Sequence, residues 1–280
     1  MTNNASFPVR PYLTFALLDS LTASQTNEFE SAIQNTTVRR IGPLVEFAYI
    51  DYPRAITRLL SPLRSIPIEN LRSTLNKSSL SDFQVDTKLN ASDVEFIRAF
   101  QTESETEDLR WMTFCKRLEN AGAHAGLGDS FAKALTGTVE EMTSNIVDHS
   151  QRADTGLVGY RWSSTEFEYV VADSGIGVLS SLRKNSDYSN LADSGQALEI
   201  AIQEGESRHG RNVGHGGGFR HLLNNIANRN SYLRFRSGDH NLVIDGTRIP
   251  VTWKIQRCQP LEGFVISVVS KKSPDNPMRS

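Results

Sequence analysis

Between residues 129 and 149, Phe131, Leu135, Val139, Met142 and Ile146 recur at spacings of four, four, three and four. That period predicts one long helix with a single apolar stripe, capped by Asp129 or Ser130. A shorter helix is expected over 107–120, with Gly122, Gly126 and Gly128 breaking the chain between the two. Beyond the long helix the period changes. LVGYRW (157–162) and EFEYVVA (166–172) alternate as strands, and 195–203 reads as a helix. A glycine-rich loop (210–218) and a helix (219–228) follow. Strands are then expected over 232–237, 242–245, 250–255 and 264–270, with a hairpin turn at Asp245-Gly246. Strands that adjoin without intervening helices favour a mixed or largely antiparallel α+β sheet covered on one face.

The first hundred residues carry a weaker pattern. FALLDSL (15–21) and VEFAYIDY (45–52) read as strands, 24–35 and 55–63 as helices, and a Ser- and Asn-rich loop stretch comes after. This predicts a small α/β region over 1–104, followed by a larger domain over 105–272 and a tail over 273–280. The acidic run ESETED (103–108) marks the boundary. It is either a helix start, with Thr106 as cap and carboxylates in the first turn, or a binding tail.

Composition narrows the class. Hydrophobic residues are 38% of the 280 and charged residues 22%, enough for a buried core. The net charge of -2 and a pI near 6.3 lack the basic footprint of a nucleic-acid binder. Two cysteines, Cys115 and Cys258, are too few for a disulfide framework or a zinc site, which suits a reducing cytoplasm. MTNNASFPVRPYL has no basic segment followed by a long apolar one, so no signal peptide is expected, and no apolar run suggests a membrane span.

Three segments carry candidate chemistry. On the long helix, EMTSNIVDH (141–149) places Glu141, Asn145 and Asp148 four and three residues apart, on one polar stripe. Asn145 offers a neutral oxygen to a hydrated Mg²⁺, and Glu141 can accept a proton. A solvated helix face is the other reading of the same stripe. In VVADSGIGV (170–178) a strand runs into Asp173, and Gly175 and Gly177 let the backbone turn and approach a flat ligand. A carboxylate there can accept a hydrogen bond from an exocyclic amine such as that of adenine. LADSGQAL (191–198) repeats Asp-Ser-Gly without the second glycine, so Asp193 or Ser194 is read as a helix cap. In GHGGGF (214–219), Gly214, Gly216 and Gly218 precede a helix and can present N–H groups to an anion. No Gly-Lys-Ser/Thr follows, so this is not a Walker loop.

The order of these segments resembles the N, G1 and G2 boxes of the GHKL ATPase and kinase superfamily, which includes gyrase, MutL and the histidine kinases. The resemblance covers about residues 107 to 270. It implies a Bergerat-type two-layer α/β sandwich that binds ATP and Mg²⁺. Glu141 would be the general base, Asn145 the Mg²⁺ ligand and Asp173 the adenine contact. Gly175 and Gly177 would shape the base pocket, with Gly214, Gly216 and Gly218 forming the phosphate lid. Asp148 matches an acidic position of gyrase-like members.

His149, four residues after Asn145, looks like the N box of bacterial anti-sigma-factor serine kinases, which phosphorylate a partner of STAS fold. It can equally be a helix C-terminal residue that satisfies the last carbonyls. Arg208 and Arg211 flank the glycines, where they either pair with a γ-phosphate or stand in solvent.

The first of the six histidines is His124, so an orthodox histidine kinase with its own phosphoacceptor is disfavoured. The N-terminal hundred residues depart from the compact anti-sigma kinases, as does Gly263-Phe264, where many members have Gly-Thr. The chain ends soon after its last strand, without the transducer domain of gyrase or MutL, although a homodimer stays open. The expected function is a cytoplasmic ATP-dependent serine/threonine kinase-like regulator of a protein partner. The alternative is a non-catalytic switch gated by nucleotide.

Overall fold

The computed structural model describes residues 11–23, 36–50, 66–203 and 230–272. The helices expected over 24–35, 55–63 and 219–228, the glycine loop over 210–218 and the tail over 273–280 lie outside them.

At the centre is a five-stranded sheet: β1 (Val94–Arg98), β2 (Leu157–Ser163), β3 (Glu166–Asp173), β4 (Ser231–Asp245) and β5 (Thr252–Lys271). The order is β1-β2-β3-β5-β4, and every neighbouring pair is antiparallel. β3 is central and buried on both sides. Phe167, Tyr169 and Val171 face one core, while Val170 and Ala172 face another. The alternation along EFEYVVA is therefore between two apolar faces, with Glu168 the polar exception.

One face carries α4 (Leu109–His124), α5 (Asp129–His149) and α7 (Ser194–Gln203). All five residues of the predicted stripe on α5 are buried there. Gly122 of α4 makes the close approach to α5, since a Cβ at that position would lie 3.1 Å from Cβ of Ala132. α4 begins one residue after the acidic run: Glu103–Glu107 form a 3-10 turn and Asp108 is the cap, its Oδ1 accepting from Arg110 N at 2.7 Å. Thr106, the expected cap, instead donates to the Glu103 carbonyl. α5 is preceded by Gly128 as its N-cap, not by Asp129 or Ser130.

The other face is also covered, by helices of the N-terminal region, which corrects the expectation of a sheet covered on one face. α1 (Phe15–Ala23), α2 (Ile41–Tyr49) and α3 (Ile66–Leu75) pack there over a second core built on Leu18, Ile41, Val45, Leu71, Val170 and Val265. The strands expected over 15–21 and 45–52 are thus helices as far as they are described. Every residue of α2 is buried, so it has no polar face to set a helical period, and V-E-F-A-Y mimics strand alternation. Residues on both sides of position 105 share the sheet, because β1 pairs with β2.

α2 is anchored along its length. Buried Glu168 of β3 accepts from Ile41 N at 2.9 Å and Gly42 N at 2.8 Å, filling two donors left free at a helix start. Midway, buried Glu46 pairs with Arg234 at 2.8 Å and with Arg236, both from β4, and Asp19 of α1 completes the set on Arg234. At the far end the Tyr49 hydroxyl donates to the Thr155 carbonyl at 2.6 Å.

Four expected strands merge into two. Gly238-Asp239-His240, between two of the expected strands, forms a bulge within β4, and Gly263 (φ +72°) lies within β5 without ending it. Asp239 is held there by His240 and by Arg257 of β5. Asp245 ends β4, and its carboxylate accepts from Thr247 N at the start of the connection. Among the described residues no helix is long and apolar enough to cross a membrane.

Candidate functional site

β3 delivers Asp173 to the end of the sheet, 1% exposed, opposite Phe264 of β5. Its Oδ1 accepts from Gly175 N at 2.6 Å, while Oδ2 is buried with no partner among the described residues. Burial pushes this carboxyl up to about 7, against the lowering effect of the Gly175 N–H. Gly263 closes one side. With φ +72° it lies flat on Asp173, and a Cβ there would overlap the Asp173 carbonyl oxygen. Gly-Phe at 263–264 therefore supplies the close approach without the hydroxyl of Gly-Thr.

The loop after Asp173 is fastened through its backbone donors. Ser174 N donates to Thr155 Oγ1 at 2.9 Å, Gly175 N to Asp173, Ile176 N to the Ser150 carbonyl at 2.9 Å and Val178 N to Ser237 Oγ at 3.0 Å. These N–H groups point into the protein, so they are not free to cradle a phosphate. Both glycines are needed for closeness. A Cβ at Gly175 would strike the Ser150 carbonyl, and Gly177 (φ +73°) passes over Ser237 Oγ. The segment Gly177–Leu182 then forms the short helix α6.

The contact of Ile176 and Gly175 with Ser150 brings the loop to the C-terminal end of α5, next to His149. Glu141 and Asn145 are half-buried on α5 and Asp148 is exposed, beside the buried Met142 and Ile146. This is the polar stripe the spacing predicts. The side chains of Glu141, Asn145 and Asp148 make no hydrogen bond or ion pair to another described residue, whereas His149 is engaged. The structure thus joins the end of the 141–149 segment to the 173–178 segment. Gly214, Gly216, Gly218, Arg208 and Arg211 lie outside the described residues.

The second Asp-Ser-Gly behaves as the cap it resembles: Asp193 Oδ1 accepts from Gln196 N at 2.9 Å at the start of α7. Among the described residues no cluster of three or more His, Cys, Asp or Glu is arranged to hold a metal. Sequence reasoning missed Thr155, Ser150 and Ser237, single hydroxyl residues in no motif. Only Gly263, next to a noted departure, carried any signal. Compared with known proteins, the chain matches no family model and no curated sequence.

Proposed function

We propose that this protein binds an adenine nucleotide with Mg²⁺ where the end of β3 meets the C-terminal end of α5, and regulates a protein partner by phosphoryl transfer in the cytoplasm. One observation carries the reading: the buried Asp173 Oδ2 has no donor among the described residues. A buried carboxylate oxygen left unpaired costs free energy, and a ligand N–H recovers it. Oδ1 is engaged by Gly175 N, so Oδ2 is the open oxygen, which suits the exocyclic amine of adenine. Guanine presents a carbonyl at that position.

Asn145 and Glu141, without a hydrogen bond or ion pair among the described residues, have the chemistry to hold a cation and to accept a proton. The Mg²⁺ would supply charge neutralisation on the phosphates. Asp148 and His149, on the following turn, border the same end of α5. The loop 174–178, with its N–H groups turned inward, would wall the base and not the phosphates. The phosphate-binding role of Gly214, Gly216 and Gly218 belongs to the same proposal, as does a phosphoacceptor partner of the STAS kind.

The test is titration of ADP and GDP, with Mg²⁺, into wild type and Asp173→Asn. Asparagine keeps the volume, but Gly175 N holds its oxygen and its NH₂ faces the ligand. ADP affinity should fall at least about tenfold, roughly 1.4 kcal/mol, while GDP does not fall in step. Unchanged ADP binding in Asp173→Asn sinks the assignment. Glu141→Ala should keep nucleotide affinity and lose turnover. A wild type that binds but never turns over, with any partner protein, leaves the gated switch.

A further inference from the structure

We propose that Tyr49 is a positioning residue of the nucleotide site, through which the N-terminal helical layer sets nucleotide affinity; this rests on the reading of Asp173 given above. The connection is short and continuous. Tyr49, the last residue of α2 and 1% exposed, donates its hydroxyl to the Thr155 carbonyl at 2.6 Å. Thr155 ends a 3-10 turn (Ala153–Thr155), and its side chain faces the opposite way in function: Oγ1 donates to the Arg152 carbonyl at 2.7 Å and accepts from Ser174 N at 2.9 Å. Ser174 is covalently next to Asp173. One buried phenol thus fixes the residue that fixes the backbone immediately after the base-contacting carboxylate.

This strut determines where Asp173 Oδ2 points. Asp173 is held from below by strand pairing to Phe264 and from the side by Gly263. The direction of the chain leaving it is set by Ser174 N, and Gly175 N must return to Asp173 Oδ1 for Oδ2 to stay open. If Thr155 drifts, Ser174 N loses its acceptor and the carboxyl is free to turn its second oxygen to the loop. α2 is otherwise tied to the sheet at Glu168 and Glu46, away from the loop, so removing one hydroxyl leaves the helix in place. Tyr49 and Thr155 are 106 residues apart in sequence, so the layer and the site are joined only by folding.

Tyr49→Phe removes the hydroxyl and keeps the ring in its buried seat. ADP affinity should fall about five- to tenfold, the scale of one lost buried hydrogen bond. Amide exchange over residues 173–178 should quicken without nucleotide. Thr155→Ser, which keeps the hydroxyl and carbonyl, should bind nearly as wild type; Thr155→Val should behave as Tyr49→Phe or worse. Leu71→Ala, a truncation in the same core away from the loop, controls for stability alone and should leave affinity unchanged. Wild-type affinity and exchange in Tyr49→Phe would overturn the proposal, as would an equal loss in Leu71→Ala. Failure of wild type to bind ADP at all would instead overturn the nucleotide reading, and this inference with it.

Discussion

Glu168→Gln tests whether a carboxyl buried in mid-sheet holds the start of α2. Glu168 is fully buried, and its two oxygens accept from Ile41 N and Gly42 N. Burial raises this carboxyl from an ordinary value of 4.5 to about 7, opposed by those two N–H groups and by Arg40. The sign follows from linkage. Between 4.5 and about 7 the folded state holds a proton that the unfolded state has released, so stability falls as pH rises through that window. The contribution is fully present below the unfolded value and is lost above the folded one. At about 1.4 kcal/mol per unit of pKa difference, the decline between pH 5.5 and 8 comes to about 2 kcal/mol from this residue.

Glutamine cannot titrate, and it offers one acceptor oxygen to two N–H groups while its NH₂ confronts the other. The unsatisfied donor costs about 1–3 kcal/mol. Glu168→Gln should therefore be less stable than wild type at pH 5.5, with the gap narrowing by about 2 kcal/mol at pH 8. Urea unfolding at half-unit pH steps measures it. Asp173 titrates in the same direction and window, but it is common to both proteins and cancels in the difference. A gap constant across pH would refute the assignment of that titration to Glu168. Wild-type stability that rises from pH 5.5 to 8 would refute the sign.

Two further substitutions probe the two cores separately. Glu46→Ala leaves Arg234 with only Asp19 and Arg236 with no carboxylate, both guanidinium groups buried, and should cost about 3–5 kcal/mol in urea unfolding; a loss below 1 kcal/mol would mean that α2 is not clamped to β4. Met142→Ala empties a fully buried position on α5 and should cost about 2–5 kcal/mol, read from the same curves.

Legibility in the sequence tracked how each element is buried. α5 was readable because one side is apolar and the other polar, so Phe131 through Ile146 stand out at helical spacing. β2 and β3 were readable from β-branched and aromatic runs closed by a two-residue turn at Ser164-Thr165. α2 was not, because burial on every side erases the period and its one charge, Glu46, is paid for by arginines almost two hundred positions away. The bulge at Gly238 fell in the gap between two expected strands, because glycine followed by aspartate and histidine interrupts the apolar run. Within the site, Asp173, Gly175 and Gly177 are local in sequence and form a recognisable unit. Tyr49, Thr155, Ser150 and Ser237 act through tertiary contacts alone, and a serine or threonine outside a motif carries no sign of what it will bond.

Asp173 is not the only buried polar atom without a partner. Among the described residues, Tyr169 Oη, Asn241 Oδ1, Ser267 Oγ and the Nε atoms of Arg98 and Arg236 share that state, although both arginines have partners through other atoms. Their settings differ. Tyr169 and Ser267 lie within the sheet, and Ser267 is pressed against Gly42, where no ligand could enter. Arg98 and Arg236 are bonded through other nitrogens, to the Asp154 carbonyl and to Glu46, so their charge is accommodated. Asp173 alone combines an acidic group, a strand end and a loop whose glycines hold the backbone close around it. A neutral side chain of the same shape would fold there at less cost. Keeping a carboxyl in that place is intelligible if a donor such as the proposed nucleotide's amine meets the free oxygen.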